Sequence, residues 1–250
     1  MENGILICVF RILNWGAILY LFYTIYRIQK KSSKKELDYK IKMIQNNNLK
    51  LMLNPHFVFG ILNSIQYYLI KYDLDKTQIN LTRFSNFMRS NFELSQKEFI
   101  DLETELIYLE EYMSLQKLRF GDTISYEINS HDNEKIIGIR IPSMLIQPAL
   151  DDLINNYMAL TDGTCSIVIN TEIVDKSIDI SISINSNEII DIRSLTKGNL
   201  ISKALKITKN RLSLMTDVYN KDFSVNINHE KDEQSQSKST ILMKLPLNIN

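Results

Sequence analysis

Leu53-Asn54-Pro55-His56-Phe57-Val58-Phe59, running straight on into Gly60-Ile61-Leu62-Asn63-Ser64-Ile65, is the stretch whose reading decides the rest of this chain. A histidine one residue after a proline stands at the head of an apolar, helix-forming run. A neutral imidazole is a nucleophile near pH 7, so a lone histidine so framed is a candidate reactive group. Apolar residues recur at helical spacing on both sides of a short break at Asp73-Leu74: Phe57, Ile61, Ile65 and Leu69, then Leu81, Phe84, Phe87 and Met88. The pattern predicts one helix from about Asn54 to Tyr72 and a second from about Asp75 to Leu94, an antiparallel hairpin. Two such hairpins from two chains would close a four-helix bundle. Pro55 is expected to kink the first helix locally, and Gly60 costs it about 1 kcal/mol relative to Ala.

Upstream, residues 4–26 form an apolar run long enough to cross a bilayer as a helix. Arg11 is its one charge. A central Arg costs roughly 2.5–3.5 kcal/mol, but Leu, Ile and Phe each return roughly 0.3–0.6, and Arg11 lies near one end where it can snorkel. Arg27, Lys30, Lys31, Lys34 and Lys35 follow, so the positive-inside bias puts everything after residue 27 in the cytoplasm. Without a basic n-region or a small-residue cleavage site, a removable signal peptide is not expected, and with three residues outside, no extracellular sensing domain is expected either. Leu37, Ile41, Ile44, Asn48 and Leu51 then make a short heptad seam with a core Asn, the pattern of a parallel dimer linker, with a single solvated helix as the alternative. It is expected to lead unbroken into the His56 helix.

Downstream, Asp101-Leu102-Glu103-Thr104 reads as the capped start of a third helix whose face is Leu102, Leu106, Leu109, Tyr112, Met113 and Gln116. Thr123–Asn129 and Gly138–Ile141 read as strands and Pro142–Tyr157 as a helix. Cys165–Thr171 and Ile178–Ile184 alternate as half-buried strands. An amphipathic helix over Leu200–Met215 and strands at Phe223–Asn228 and Thr240–Leu245 complete a two-layer α+β sandwich. The net charge is +0 and the sequence pI about 6.8, which gives no global argument for nucleic-acid binding. Cys8 and Cys165 form no disulfide framework or zinc spacing, and His56, His131 and His229 are too scattered for a metal motif.

Three stretches resemble the LytS/AlgZ-type sensor histidine kinases. Asn54-Pro55-His56-Phe57, with Leu62, Asn63 and Ser64 behind it, resembles the phosphoacceptor box. Lys117-Leu118-Arg119-Phe120-Gly121-Asp122 is similar to an EKLRFGD-like segment, and Ile141-Pro142-Ser143-Met144-Leu145-Ile146-Gln147-Pro148 resembles the lead-in to the first ATP motif. The likeness covers about residues 50–215 and weakens after Gln147-Pro148. It implies that His56 takes a phosphoryl group from ATP and passes it to an aspartate on a response regulator. It further implies an α+β fold: one N-terminal transmembrane helix, a helical-hairpin dimerisation and phosphoacceptor region, and a GHKL-like α/β sandwich. The expected boundaries are 1–27 for the anchor, 28–53 for the coiled-coil linker, 54–119 for the histidine-containing region and 120–250 for the GHKL ATPase-like domain.

The chain departs from that family where ATP would bind. Asp151-Asp152 stand for Glu-Asn, whose Asn is the usual magnesium ligand; Asp152 still offers a hard oxygen. As neighbours on a helix, Asp151 and Asp152 do not face each other as a catalytic dyad. Asn155-Asn156 replace Lys-His. Asn185-Ser186-Asn187 stand for Asp-Asn-Gly, leaving Asn185 to meet adenine, and Ser202-Lys203-Ala204-Leu205 stand for a Gly-x-Gly-Leu phosphate stretch. Near His56, Gly60 replaces an Asn that would face a phosphoryl group. Asp152, Asn156 and Asn185 are therefore the expected remnants of an ATP site, with Asp152 the candidate for magnesium. Two readings stay open: a membrane-anchored kinase of two-component signalling passing phosphate through His56, and a pseudokinase scaffold, the eroded motifs favouring weak or absent autonomous activity. The implied partners are a homodimer mate, a response regulator (the LytTR DNA-binding type is one candidate), an active histidine kinase and the membrane, with no direct nucleic acid. The implied location is the inner or cytoplasmic membrane.

Overall fold

The computed structural model describes residues 54–130, 136–188, 203–231 and 237–247, together with Tyr20, Tyr23, Tyr26 and Arg27. The expected span at 4–26 and the linker at 28–53 lie outside the described residues apart from those four, which are helical. Among the described residues no helix is long and apolar enough to cross a membrane. The chain divides into two compact units, Met1–Met43 and Ile44–Asn250, and the elements below all belong to the second.

Helix α1 spans Pro55–Ile70. Asn54 is extended (φ −75°, ψ 112°), and its side-chain oxygen accepts from the His56 backbone N–H at 3.0 Å. Pro55 thus occupies the first helical position, where a missing N–H leaves no gap. This corrects two expectations: Pro55 starts the helix rather than kinking it, and the extended Asn54 breaks any continuous run from the linker. Helix α2 covers Leu74–Ser95, capped by Asp73, which accepts from the Lys76 N–H at 3.1 Å. Between them the chain turns at Tyr72, in the left-handed region (φ 56°).

Phe57, Ile61 and Ile65 of α1 and Phe84 and Phe87 of α2 are buried as the spacing predicts. Leu69 and Leu81 are not, at 51% and 48% exposed. The reason is a third partner. Helix α3, Leu102–Phe120, closes the hairpin within one chain, and its aromatics stack into it. Phe57 lies 5.1 Å from Tyr112 and Phe87 lies 5.2 Å from Tyr108, centroid to centroid, both stacked. Asp101 precedes α3, but its side chain makes no capping bond, contrary to expectation. α3 buries Leu102, Glu105, Tyr108, Leu109, Tyr112, Met113, Leu115 and Gln116, because it has helices on one side and the sandwich on the other.

The strand β1, Phe99–Asp101, which periodicity missed at three residues, pairs antiparallel with β3, Arg140–Pro142. A five-stranded sheet has the order β2-β4-β5-β7-β6, built from β2 Ile124–Ser130, β4 Cys165–Val174, β5 Ser177–Ser186, β6 Ser224–Lys231 and β7 Ser237–Pro246. β2 runs parallel to β4 and every other pairing is antiparallel. One face, with Ile167, Ile169, Ile180, Ile182 and Met243, is buried, and the layer of α4 (Ile146–Met158) and α5 (Lys203–Tyr219) carries Leu150, Ile154, Leu212 and Met215 into the same core. This is the two-layer α+β arrangement the sequence predicts.

The helix expected from Pro142 starts four residues late. Pro142 ends β3, Met144 takes φ 54°, and α4 begins at Ile146. A carboxylate from α3 explains the delay. Glu105 Oε2 accepts from the Met144 N–H at 3.0 Å, and Oε1 accepts from Leu145 and Ile146 at 3.0 and 3.1 Å. Three otherwise orphaned donors at a helix start meet one buried acid, which also suits the helix dipole. Burial pushes the Glu105 carboxyl up, opposed by those three N–H bonds and by Arg211. Arg211, itself fully buried, is pushed down to about 10 by the same desolvation.

Candidate phosphoacceptor site

His56 sits in the first turn of α1 with an exposed side chain. Its ring faces Arg119, from the last turn of α3: Nη2 lies 3.1 Å from Nδ1 and 3.2 Å from Nε2. A guanidinium has no acceptor, so Nη2 can donate only to the ring nitrogen that holds a lone pair. That lone pair is the one that attacks an electrophile. Arg119 Nη1 is shut off from solvent without a hydrogen-bond partner, and the guanidinium carbon lies 4.4 Å from the Phe120 ring centroid. Partial burial pulls the Arg119 group down from its ordinary value, while the charge of Asp151 opposes that shift.

Gly60 makes this contact possible. A Cβ there would lie 2.6 Å from Arg119 Nε and 2.8 Å from its Cδ, so the arginine crosses α1 over the bare backbone. Gly60 therefore does more than remove the Asn: it replaces one polar side chain on α1 with a passage for another from α3. In the sequence, Arg119 stands out only through the likeness of Lys117-Leu118-Arg119-Phe120-Gly121-Asp122 to a motif. A glycine inside a helix one turn after the candidate histidine was the available signal, since it marks a close approach.

Behind His56 lies a buried polar chain. Asn54 Nδ2 donates to Asp151 Oδ2 at 2.6 Å, Tyr112 Oη donates to Asp151 Oδ1 at 2.6 Å, and Gln116 Nε2 donates to Tyr112 Oη at 2.5 Å. The same Asn54 caps His56. Asp151, 6% exposed, thereby ties the start of α1 to α3 and α4. Periodicity cannot reveal such a link across 97 residues. Burial, with the Asp151 charge and hydrogen bond next, pushes the Tyr112 hydroxyl well up.

The expected ATP-site residues are placed apart. Asp152 and Asn156 stand one turn apart on α4, both half-buried. Asp152 Oδ2 accepts from the Leu205 backbone N–H at 2.9 Å, near the start of α5, and desolvation pushes its carboxyl up to about 7. Asn185 does not join them. It pairs in register with Ser166 and Lys238 on the sheet face away from the helices, while its neighbours Ile184 and Ser186 point into the core. The stretch 189–202, including Ser202, lies outside the described residues. Among the described residues no group of three or more His, Cys, Asp or Glu is arranged to hold a metal ion.

Residues 44–124 match the histidine kinase family model. The chain is 29% identical over 140 residues to sensor protein LytS of Oceanobacillus iheyensis, covering 56% of this chain and 23% of that protein. It is 35% identical over 108 residues to sensor histidine kinase YpdA of Escherichia coli, covering 42% and 18%. The chain thus spans about a fifth of the length of these two relatives. Among solved structures it is similar to the catalytic domain of histidine kinase ThkA, at 18% identity and a TM-score of 0.37, over 60% of this chain and 95% of that one. With the His56 box inside the matched stretch, residues 44–124 carry a histidine kinase family segment, and the chain is similar to LytS-type sensor histidine kinases.

Proposed function

We propose that this chain is a membrane-anchored member of the histidine kinase family that accepts and passes a phosphoryl group through His56, and is weak or inactive as an autonomous kinase. The observation that carries the reading is the exposed His56 ring facing a guanidinium with a free donor. In the step itself, the ring lone pair attacks phosphorus, the N–P bond forms, and the bond to the donor atom breaks with its electron pair leaving on the donor. Onward transfer reverses the roles: a carboxylate oxygen of a response regulator attacks and the imidazole leaves. The resemblance supports such a regulator, a homodimer and a phosphorylated kinase partner as donor. The apolar run 4–26 and the basic cluster after it support the single-span anchor in the cytoplasmic membrane.

The family resemblance also implies ATP and magnesium. The described residues do not fit that pair. Asp152, the magnesium candidate, already accepts from Leu205 and is half-neutral near pH 7, while magnesium wants an ionised hard oxygen. Asn185 lies on the far sheet face. ATP with magnesium should therefore give no thermal stabilisation below about 1 mM, roughly 4 kcal/mol of binding or less. Clear stabilisation at micromolar ATP would restore the autonomous kinase. Incubation with a related active kinase and ATP should leave acid-labile phosphate on this chain, and His56→Gln should abolish it. The second reading, a scaffold without catalysis, is favoured by the exposed Phe59, Leu62, Ile79 and Phe92 on the hairpin. Signalling that tolerates His56→Gln, with no label from any partner, would leave that reading alone.

A further inference from the structure

We propose that Arg119 is a phosphoryl-binding residue: it shields the His56 lone pair at rest and grips the phosphoryl oxygens once phosphorus has arrived. The inference rests on His56 being the acceptor. Three observations carry it. Arg119 Nη2 stands 3.1 and 3.2 Å from the two ring nitrogens, so its reach already includes atoms bonded to whichever nitrogen is modified. Nη1 of the same guanidinium is out of solvent and without a partner, an unusual state for a charged donor and one that an anionic oxygen would relieve. Gly60 leaves the space the side chain crosses, where any Cβ would collide with Nε and Cδ. A planar fork holding two oxygens of one phosphoryl group is the geometry arginine makes best.

The resting contact and the phosphorylated one are alternatives. While Nη2 donates to the ring, the lone pair is engaged. When phosphorus approaches, a donor that shifts by about one N–P bond length finds a phosphoryl oxygen in place of the nitrogen. The negative charge gathered on those oxygens is then met by a preplaced cation, which favours attack by the imidazole on an anionic phosphoryl donor specifically.

Potassium phosphoramidate tests this without ATP or a partner kinase. The ring lone pair attacks its phosphorus, the N–P bond to His56 forms, and the P–N bond to ammonia breaks, ammonia leaving with the electron pair. Diethyl pyrocarbonate, an uncharged electrophile, attacks through the same lone pair and reports its accessibility. Both rates are measured at His56 by mass spectrometry on the full chain. In Arg119→Gln the phosphoramidate rate should fall about tenfold or more, the loss of one charge-assisted hydrogen bond, while the diethyl pyrocarbonate rate holds or rises. Arg119→Lys should fall between, since it keeps the charge without the fork. Gly60→Ala, which displaces the guanidinium and alters no ionisable group, should follow Arg119→Gln and serves if that variant does not fold. Two rates that fall together, or two that stay put, would overturn the proposal and leave Arg119 structural. A wild-type His56 that reacts with diethyl pyrocarbonate but never with phosphoramidate would sink the acceptor reading itself.

Discussion

The His56 end and the Asp152 end of this molecule use polar side chains in opposite ways. At the first, an exposed imidazole faces a guanidinium that still has an unpaired donor, and a glycine keeps the way clear. At the second, the carboxylate that would meet a metal is already bonded to the Leu205 N–H, and its neighbour Asp151 is bonded to Asn54 and Tyr112. A buried acceptor bound to backbone or to another helix is not free for a ligand without breaking that bond first. The comparison teaches where a polar group stays available to a ligand: where its hydrogen-bond partners remain unsatisfied.

Asp151→Ala should break the comparison hardest. It leaves the partly buried Asn54 Nδ2 and the buried Tyr112 Oη donors without their acceptor, which costs about 2–3 kcal/mol together. Urea melts check this, and Asp151→Asn, which keeps one acceptor oxygen, should cost less. A loss under about 0.5 kcal/mol would mean that α4 is not committed to holding the His56 helix.

Asp152 sharpens the other side. Its folded carboxyl is raised to about 7, against an ordinary unfolded value of about 3.9. Between these values the folded chain binds more protons than the unfolded one, so stability falls as pH rises from about 4 to about 7 and stays low above it. Asp152→Asn should flatten that fall and, at pH 8, stabilise the chain by roughly 1–3 kcal/mol, a figure discounted for partial exposure. Melting curves at pH 5 and pH 8 give the answer. An equal gain at both would show that the charge is not what Asn removes.

Gly60→Ala is the smallest expected effect and separates helix stability from site geometry. Alanine gains about 1 kcal/mol of helix propensity, offset by moving Arg119 off α1, so the melting temperature should stay within a few degrees. A gain of the full propensity would mean that Arg119 swings away freely.

Much of the fold was legible because burial imposes periodicity. Phe57, Ile61 and Ile65 at helical spacing, and Ile178, Ile180, Ile182 and Ile184 at strand spacing, announce their faces before any tertiary contact is known. His56 was legible through its box, Asn54-Pro55-His56-Phe57, but its cap was not: Pro55 reads as a kink until the extended Asn54 shows that it holds the first helical position. Leu69 and Leu81 show the limit. Their spacing fits the apolar stripe, yet α3 covers only the Phe57–Ile65 end, and spacing does not say how far a partner reaches.

What the sequence by itself determined is therefore the local: the helices, the alternating strands and the run of residues around His56. Only the tertiary structure decided what touches what. It set Arg119 against His56 across 63 residues, Asp151 against Asn54 across 97, and Glu105 beneath the start of α4. The physical reason is that helix and strand patterns follow from each residue's near neighbours, whereas a buried hydrogen bond depends on which surfaces pack together. That choice is made by the whole core at once, and no spacing along the chain records it.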